Sequence, residues 1–323
     1  MKKLICLLLL ITLSLGLVCC VPSGDETKLR IGYLTGPTGM GMAKLISDDA
    51  ENGKYIFTKY ADTTAAKADL AAGKVDIICL PTNEAAMYYS TAAHPVKVLA
   101  INCLNSLYLL SAGKEKVTSL SELEGRTVYT CKNGTPRVIL EHIISKLGLD
   151  ITVSYEINGK ELVKPQDVST YLTTGELPYA VIPEPLVTST LLTIAKNADE
   201  SVVYTVDIDL ADEWADFCDT PIAMGCLLAN ADMLTKNKAT VDSFLSEYKA
   251  SVDYIANPDN LDSAANYIVE TGIMAAVPAA KKALQNLGSS ICYIDGADMK
   301  NTLVAFYSAL KMTQPVDDFY YEK

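Results

Sequence analysis

The sequence predicts an α/β chain folded as two lobes, and three observations carry the prediction. A pattern of helix, glycine, buried strand and proline occurs twice. A strand–polar turn–helix pattern precedes each copy. Two apolar runs are placed to carry the chain from one lobe to the other and back.

The first pattern reads ADLAAGKVDIICLPTNEA at 68–85 and TYLTTGELPYAVIPEPLV at 170–187, with Leu70, Gly73 and Pro81 matched by Leu172, Gly175 and Pro183 at identical spacing. In each copy a glycine ends a helix, a short apolar run forms a buried strand, and proline stops it. The preceding pattern is RIGYLTGPTGMGMAKLI at 30–46 and RTVYTCKNGTPRVILEHII at 126–144. Such units build mainly parallel sheets, one per lobe. The run at 96–113 is the outward crossing and TPIAMGCLLAN at 220–230 the return. Lobe 1 is therefore expected over 30–108 and again over 222–323, where helices surround 241–257, 263–272 and 279–288, and lobe 2 over 109–221. Two crossing strands make a hinge beside an interlobe cleft, and the turns 35–40, 81–85, 131–136 and 183–186 face one another across it.

The chain opens with Met-Lys-Lys and the apolar run LICLLLLITLSLGLVCC, a secretory leader rather than part of the fold. LVCC resembles a bacterial lipobox, with Leu17 three residues before Cys20, so residues 1–20 are expected to be a lipoprotein signal ending at the lipid anchor Cys20, and 21–29 a linker. The alternative is an ordinary secreted protein. One acylated cysteine tethers a protein to the membrane surface without embedding it. The formal charge of −12 becomes more negative when Lys2 and Lys3 leave with the leader. That balance argues against nucleic acid and anionic lipid as partners, both of which need clustered Lys and Arg.

Beyond the leader lie Cys79, Cys103, Cys131, Cys218, Cys226 and Cys292, mostly in apolar runs and with no C-x-x-C pair, so no zinc site is expected. Three bridges are conceivable, but free thiols acting as small hydrophobes are favoured. Of the two histidines, His142 falls in a helix, where a surface or half-buried role is expected. Asp207 and Asp209 begin an EF-hand-like spacing that fails at Ala211 and Asp212, leaving a solvated helix with Trp214 packed inward. Trp214 is the sole tryptophan, which makes sugar stacking a poor expectation.

The glycine-rich turn fails as a nucleotide loop. Met42 stands where a P-loop needs lysine, and Lys44 where a dinucleotide fingerprint needs its third glycine. What remains is a helix start at Thr38, Gly39 and Met40, whose N–H groups suit a carboxylate, sulfonate or carbonyl oxygen, with Thr38 as N-cap or hydroxyl donor and Thr35 beside it. Asn133 and Thr135 repeat the device in lobe 2. Asn83, Glu84 and Glu184 follow the matching strands; either carboxylate would favour an amine or aminopyrimidine if it faced the cleft, or would otherwise cap the next helix. Asn105 at the outward crossing is a further candidate, because a polar residue within an apolar run needs partners. No catalytic residue, metal or cofactor is expected.

Taken together, the leader, IGYLTGPTGMGMAKLI, LAAGKVDIICLP, LAINCLNSLYLLSAG and LEGRTVYTCKNGTPRVILEHII make the chain resemble substrate-binding lipoproteins of bacterial ABC importers of the nitrate, sulfonate, taurine and thiamine-pyrimidine-precursor type. The resemblance implies a type II periplasmic-binding-protein fold that closes on a small molecule and delivers it to a permease and ATPase at the extracytoplasmic membrane face. An envelope sensor or adhesin on the same fold, and an enzyme like the pyrimidine synthases, are the competing functions.

Overall fold

The computed structural model describes residues 28–113, 116–196 and 203–322; the expected signal, Cys20 and most of the linker lie outside them. The chain opens with β1 (Leu29–Leu34), then one helical turn, α1 (Pro37–Met40), and α2 (Ala43–Asn52). β2 (Tyr55–Tyr60), α3 (Thr63–Ala71), β3 (Ile77–Pro81), α4 (Thr82–Tyr89) and β4 (Val96–Leu104) complete the first pass. β5 (Leu107–Ala112), β6 (Thr127–Tyr129), α5 (Thr135–Leu147) and β7 (Thr152–Ser154) follow, then a small hairpin of β8 (Glu156–Ile157) and β9 (Lys160–Glu161). α6 (Pro165–Thr173), β10 (Tyr179–Pro183), α7 (Leu186–Lys196), β11 (Tyr204–Asp209) and α8 (Leu210–Ala215) precede the return strand β12 (Ala223–Asn230). The chain ends with α9 (Ala231–Lys236), α10 (Lys238–Ala256), α11 (Leu261–Glu270), α12 (Val277–Leu287), β13 (Ile291–Ile294) and α13 (Gly296–Ala309).

Two sheets organise these elements. The first has the order β13-β4-β12-β3-β1-β2 and the second β11-β5-β10-β6-β7. The repeat explains their parallel halves: β1 pairs in parallel with β2 and β3, and β6 with β7 and β10. Each crossing departs from that pattern in the same way. β12 enters antiparallel between β3 and β4, and β5 enters antiparallel between β10 and β11. A strand arriving from the other lobe has no helical crossover to reverse it, so it inserts in the opposite sense. β13 and α13 were not read from the sequence; β13 joins β4 antiparallel at the sheet edge.

The repeated glycines act as the spacing requires. Gly73 and Gly175 have φ of 64° and 76°. Their N–H groups donate to Leu70 and Leu172 carbonyls at 3.0 and 3.1 Å, while Lys74 and Glu176 donate to Asp69 and Tyr171 at 2.8 and 3.1 Å. Both helix ends are thus Schellman motifs, identical bond for bond. The strands that follow alternate faces. Ile77 and Cys79 enter one hydrophobic cluster, Ile78 and Leu80 another.

That second cluster runs through both lobes. It joins Leu80 and Phe306 to Ile139, Leu140, Ile143 and Val181. Trp214 lies fully buried within it, its ring 5.8 Å from Phe306 and 5.5 Å from His142, and its indole N–H donates to Thr220 O at 2.7 Å. His142 is half-buried there, its pKa lowered first by burial and then by Lys146 and Lys311. The cysteines of the described residues are all free thiols, four of them buried. Among the described residues no helix is long and apolar enough to cross a membrane.

The hinge is built where the two crossings touch. Asn105 N–H donates to Ile222 O at 2.8 Å, and Ile222 N–H donates back to Asn105 Oδ1 at 3.2 Å. The Trp214→Ala variant should lose about 3–5 kcal/mol of stability, because the cavity left between the lobes cannot collapse fully. Chemical denaturation at constant slope will measure it.

Candidate functional site

A cavity of about 890 Å³ lies between the two sheets, lined by the turns after β1, β3, β6 and β10 and by 273–275 of the first lobe. Those are the four turns the sequence places at the cleft. Of the expected residues, Thr35, Thr38, Glu84, Asn133, Thr135 and Glu184 line it; Gly39, Met40, Asn83 and Asn105 do not.

Each of the latter four has a structural occupation. Met40 is wholly buried in the first lobe's core. Gly39 lies against the end of β1, where an added Cβ would stand 2.1 Å from Leu34 O. Its N–H is spent on Gly36 O at 3.0 Å. Gly36, not Thr38, is the N-cap of α1, and α1 is only four residues long. The Gly39 amide of the expected row at 38–40 is therefore not free, and so short a helix accumulates little dipole. Asn105 is the hinge residue already described. Asn83 is buried and accepts a hydrogen bond from Thr135 Oγ1 at 2.9 Å, a link between the two lobes at the cleft floor.

The two carboxylates are likewise committed within the protein. Lys67 Nζ holds Glu84 Oε2 at 2.7 Å. Glu184, almost fully buried, accepts from Thr188 N–H at 3.1 Å and from Thr188 Oγ1 at 2.8 Å, so it caps α7. Burial raises its pKa, while donation from Asn286 and Thr188 opposes the rise. Neither carboxylate is left to demand a cationic ligand, which removes the sequence argument for an amine.

What the cavity offers instead is apolar wall and a few unused polar groups. Met224, Ile273 and Met274 contribute from the first lobe, and Val163, Leu186 and several prolines from the second. The thirteen-residue α5 has Gly134 as its N-cap, whose φ of 94° suits glycine, and no side chain caps it. Lys164 is the sole cation on the lining, and no ion pair holds it among the described residues. Asp62 also lines the cavity but is spent on the N–H groups of Thr64 and Ala65 at 2.9 and 3.0 Å.

Sequence reasoning missed Lys164, the 273–275 wall and Asn102. Asn102 Nδ2 donates to Thr38 O at 3.0 Å and so fixes the first turn from behind. Its only sequence signal was an amide inside the apolar run of β4, the same signal that pointed to Asn105. Neither histidine and no cysteine of the described residues lines the cavity.

Residues 56–261 match the family model described as NMT1/THI5 like. No curated protein matches the chain. Solved structures share its fold along most of its length. An ABC transporter protein from Parabacteroides distasonis is 20% identical, with 92% of this chain and 99% of that one covered and a TM-score of 0.69. The periplasmic aliphatic sulphonate binding protein SsuA from Escherichia coli is 17% identical over 91% and 92% of the chains, at a TM-score of 0.67. The periplasmic nitrate-binding protein NrtA from Synechocystis is 12% identical over 85% and 75%, at 0.62.

The Gly39→Ala variant should be destabilised by about 1–3 kcal/mol, since its methyl group meets backbone rather than a yielding side chain. A melting temperature equal to that of the parent would show that Gly39 is free of this packing.

Proposed function

Because the chain belongs to the NMT1/THI5-like family, we propose that it is the extracytoplasmic solute-binding component of an ABC importer, capturing a small organic molecule between its lobes and presenting the closed form to a permease and ATPase. The observation that carries the reading is the cavity itself: one turn from each half of each repeat converges on a space of about 890 Å³ at the strand ends, beside a two-strand hinge. Lipid attachment at Cys20 belongs to the same proposal, on the strength of the LVCC sequence that ends the leader.

Size and lining bear on the ligand. The cavity falls within the roughly 300–1,000 Å³ typical of small-molecule sites. A bare nitrate would leave most of it to water against apolar walls, so an organic body is favoured. The open start of α5 and Lys164 suit an anionic or carbonyl end, as in a sulfonate or an oxidised pyrimidine. An enzymatic reading lacks a comparable support: His142 packs against Trp214 and Phe217, and the buried thiols of Cys79, Cys103, Cys131 and Cys226 have pKa values raised by desolvation, which suppresses the nucleophilic thiolate.

A thermal-shift screen of the purified protein against small sulfonates, nitrate, amino acids, thiamine pyrimidines and purines tests the proposal. A ligand at 100 times its dissociation constant should add about 2.7 kcal/mol of stability. The expected result is a shift confined to one chemical class, with the compound recovered unchanged. Turnover of that compound would establish an enzyme. No shift, together with an empty protein by native mass spectrometry, would overturn the transport reading.

A further inference from the structure

We propose that Asn286 is a positioning residue: from the first lobe it holds the buried carboxylate of Glu184 in the second, and this pair sets the angle at which the lobes meet. The inference rests on reading the cleft as a site that closes by lobe rotation.

Glu184 stands on the turn after β10, with 1% of its surface exposed. Two of its donors, the N–H and hydroxyl of Thr188, lie on α7 and move with it whatever the lobes do. The third comes from elsewhere. Asn286, near the end of α12, donates from Nδ2 to Glu184 Oε1 at 2.6 Å and to Thr188 Oγ1 at 3.2 Å. The hydroxyl of Tyr108 on β5 reaches Asn286 O at 3.5 Å. Glu184 N–H in turn donates to Ser106 O at 3.0 Å, in the hinge. A rigid path therefore runs from the hinge through Glu184 to α12.

Parting the lobes would strip one donor from a carboxylate whose other donors cannot replace it. A bond to an ionised acceptor is roughly twice as strong as one between neutral groups. Of the other polar links between the lobes, Thr135 to Asn83 joins two neutral side chains and Tyr108 to Asn286 O joins a neutral hydroxyl to a main-chain carbonyl. The Asn286–Glu184 pair is thus the link between the lobes that ends on a carboxylate. The cavity lining includes Glu184 but not Asn286, so Asn286 acts on a ligand only through the carboxylate.

Small-angle X-ray scattering on the purified protein tests this without any ligand, so its outcome is independent of the ligand screen. Asn286→Asp sets a second carboxylate against Glu184 and should raise the radius of gyration above the roughly 19 Å of a compact chain of about 300 residues. Asn286→Ala should raise it less. Combining Asn286→Asp with Glu184→Gln should return it to the parental value, because the donating amide now stands on the second lobe while its carbonyl oxygen still accepts from Thr188. Unchanged dimensions in both single variants would overturn the proposal, as would a double variant as expanded as Asn286→Asp alone. Circular dichroism will establish that each variant is folded. Should Asn286→Asp fail to fold, Asn286→Ala decides by itself, and parental dimensions there would overturn the assignment.

Discussion

The arrangement of this molecule depends on the place where its two crossings are tied together. Asn105 and Ser106 leave the sheet with φ of 48° and 85°, a left-handed pair that turns β4 sharply into β5. Asparagine tolerates that conformation because its short amide can bond locally, and here it spends that amide on the returning chain at Ile222. With both crossings fixed at one point, the lobes keep their strand ends facing the same space. Four turns distant in sequence then line one cavity. The buried core through Trp214 and Phe306 backs the hinge from the far side.

The chemistry of the cleft follows from what the fold must satisfy first. A buried or half-buried carboxylate needs donors, and Glu184 and Glu84 find theirs in Thr188, Asn286 and Lys67. Asp62 likewise closes the start of α3. Three acidic groups on the wall of an acidic protein are thereby withdrawn from ligand recognition. The groups left over, the open start of α5 and Lys164, have the opposite preference. Global charge and local preference thus differ in sign, and a cleft can oppose its own surface when its acids are internally paired.

Polar residues in and just after the apolar strands are structural fasteners. Asn102 holds the turn after β1, Asn105 holds the return crossing, and Asn83 and Thr135 join the lobes. Asn105 was recognisable as a side chain needing a partner, yet only the partner's identity separates a fastener from a ligand contact. Gly39 shows the same division. Its glycine signalled a close approach, and the approach is to Leu34 O rather than to a solute.

The sequence by itself determined the repeated units. Leu70, Gly73 and Pro81, echoed by Leu172, Gly175 and Pro183, specify helix end, strand and stop through forces acting within about a dozen residues. Those units, with the two apolar crossings, were enough to read two α/β lobes and to place the four turns at one cleft. Only the tertiary structure decided the antiparallel entry of β5 and β12, the edge strand β13, the wall at 273–275 and the partners of Glu184 and Asn83. Caps and hydrophobic period are local and leave a written pattern. The saturation of a buried polar group is settled by whichever donor the fold brings near, and Asn286 reaches Glu184 across 102 residues of chain that carry no mark of the meeting.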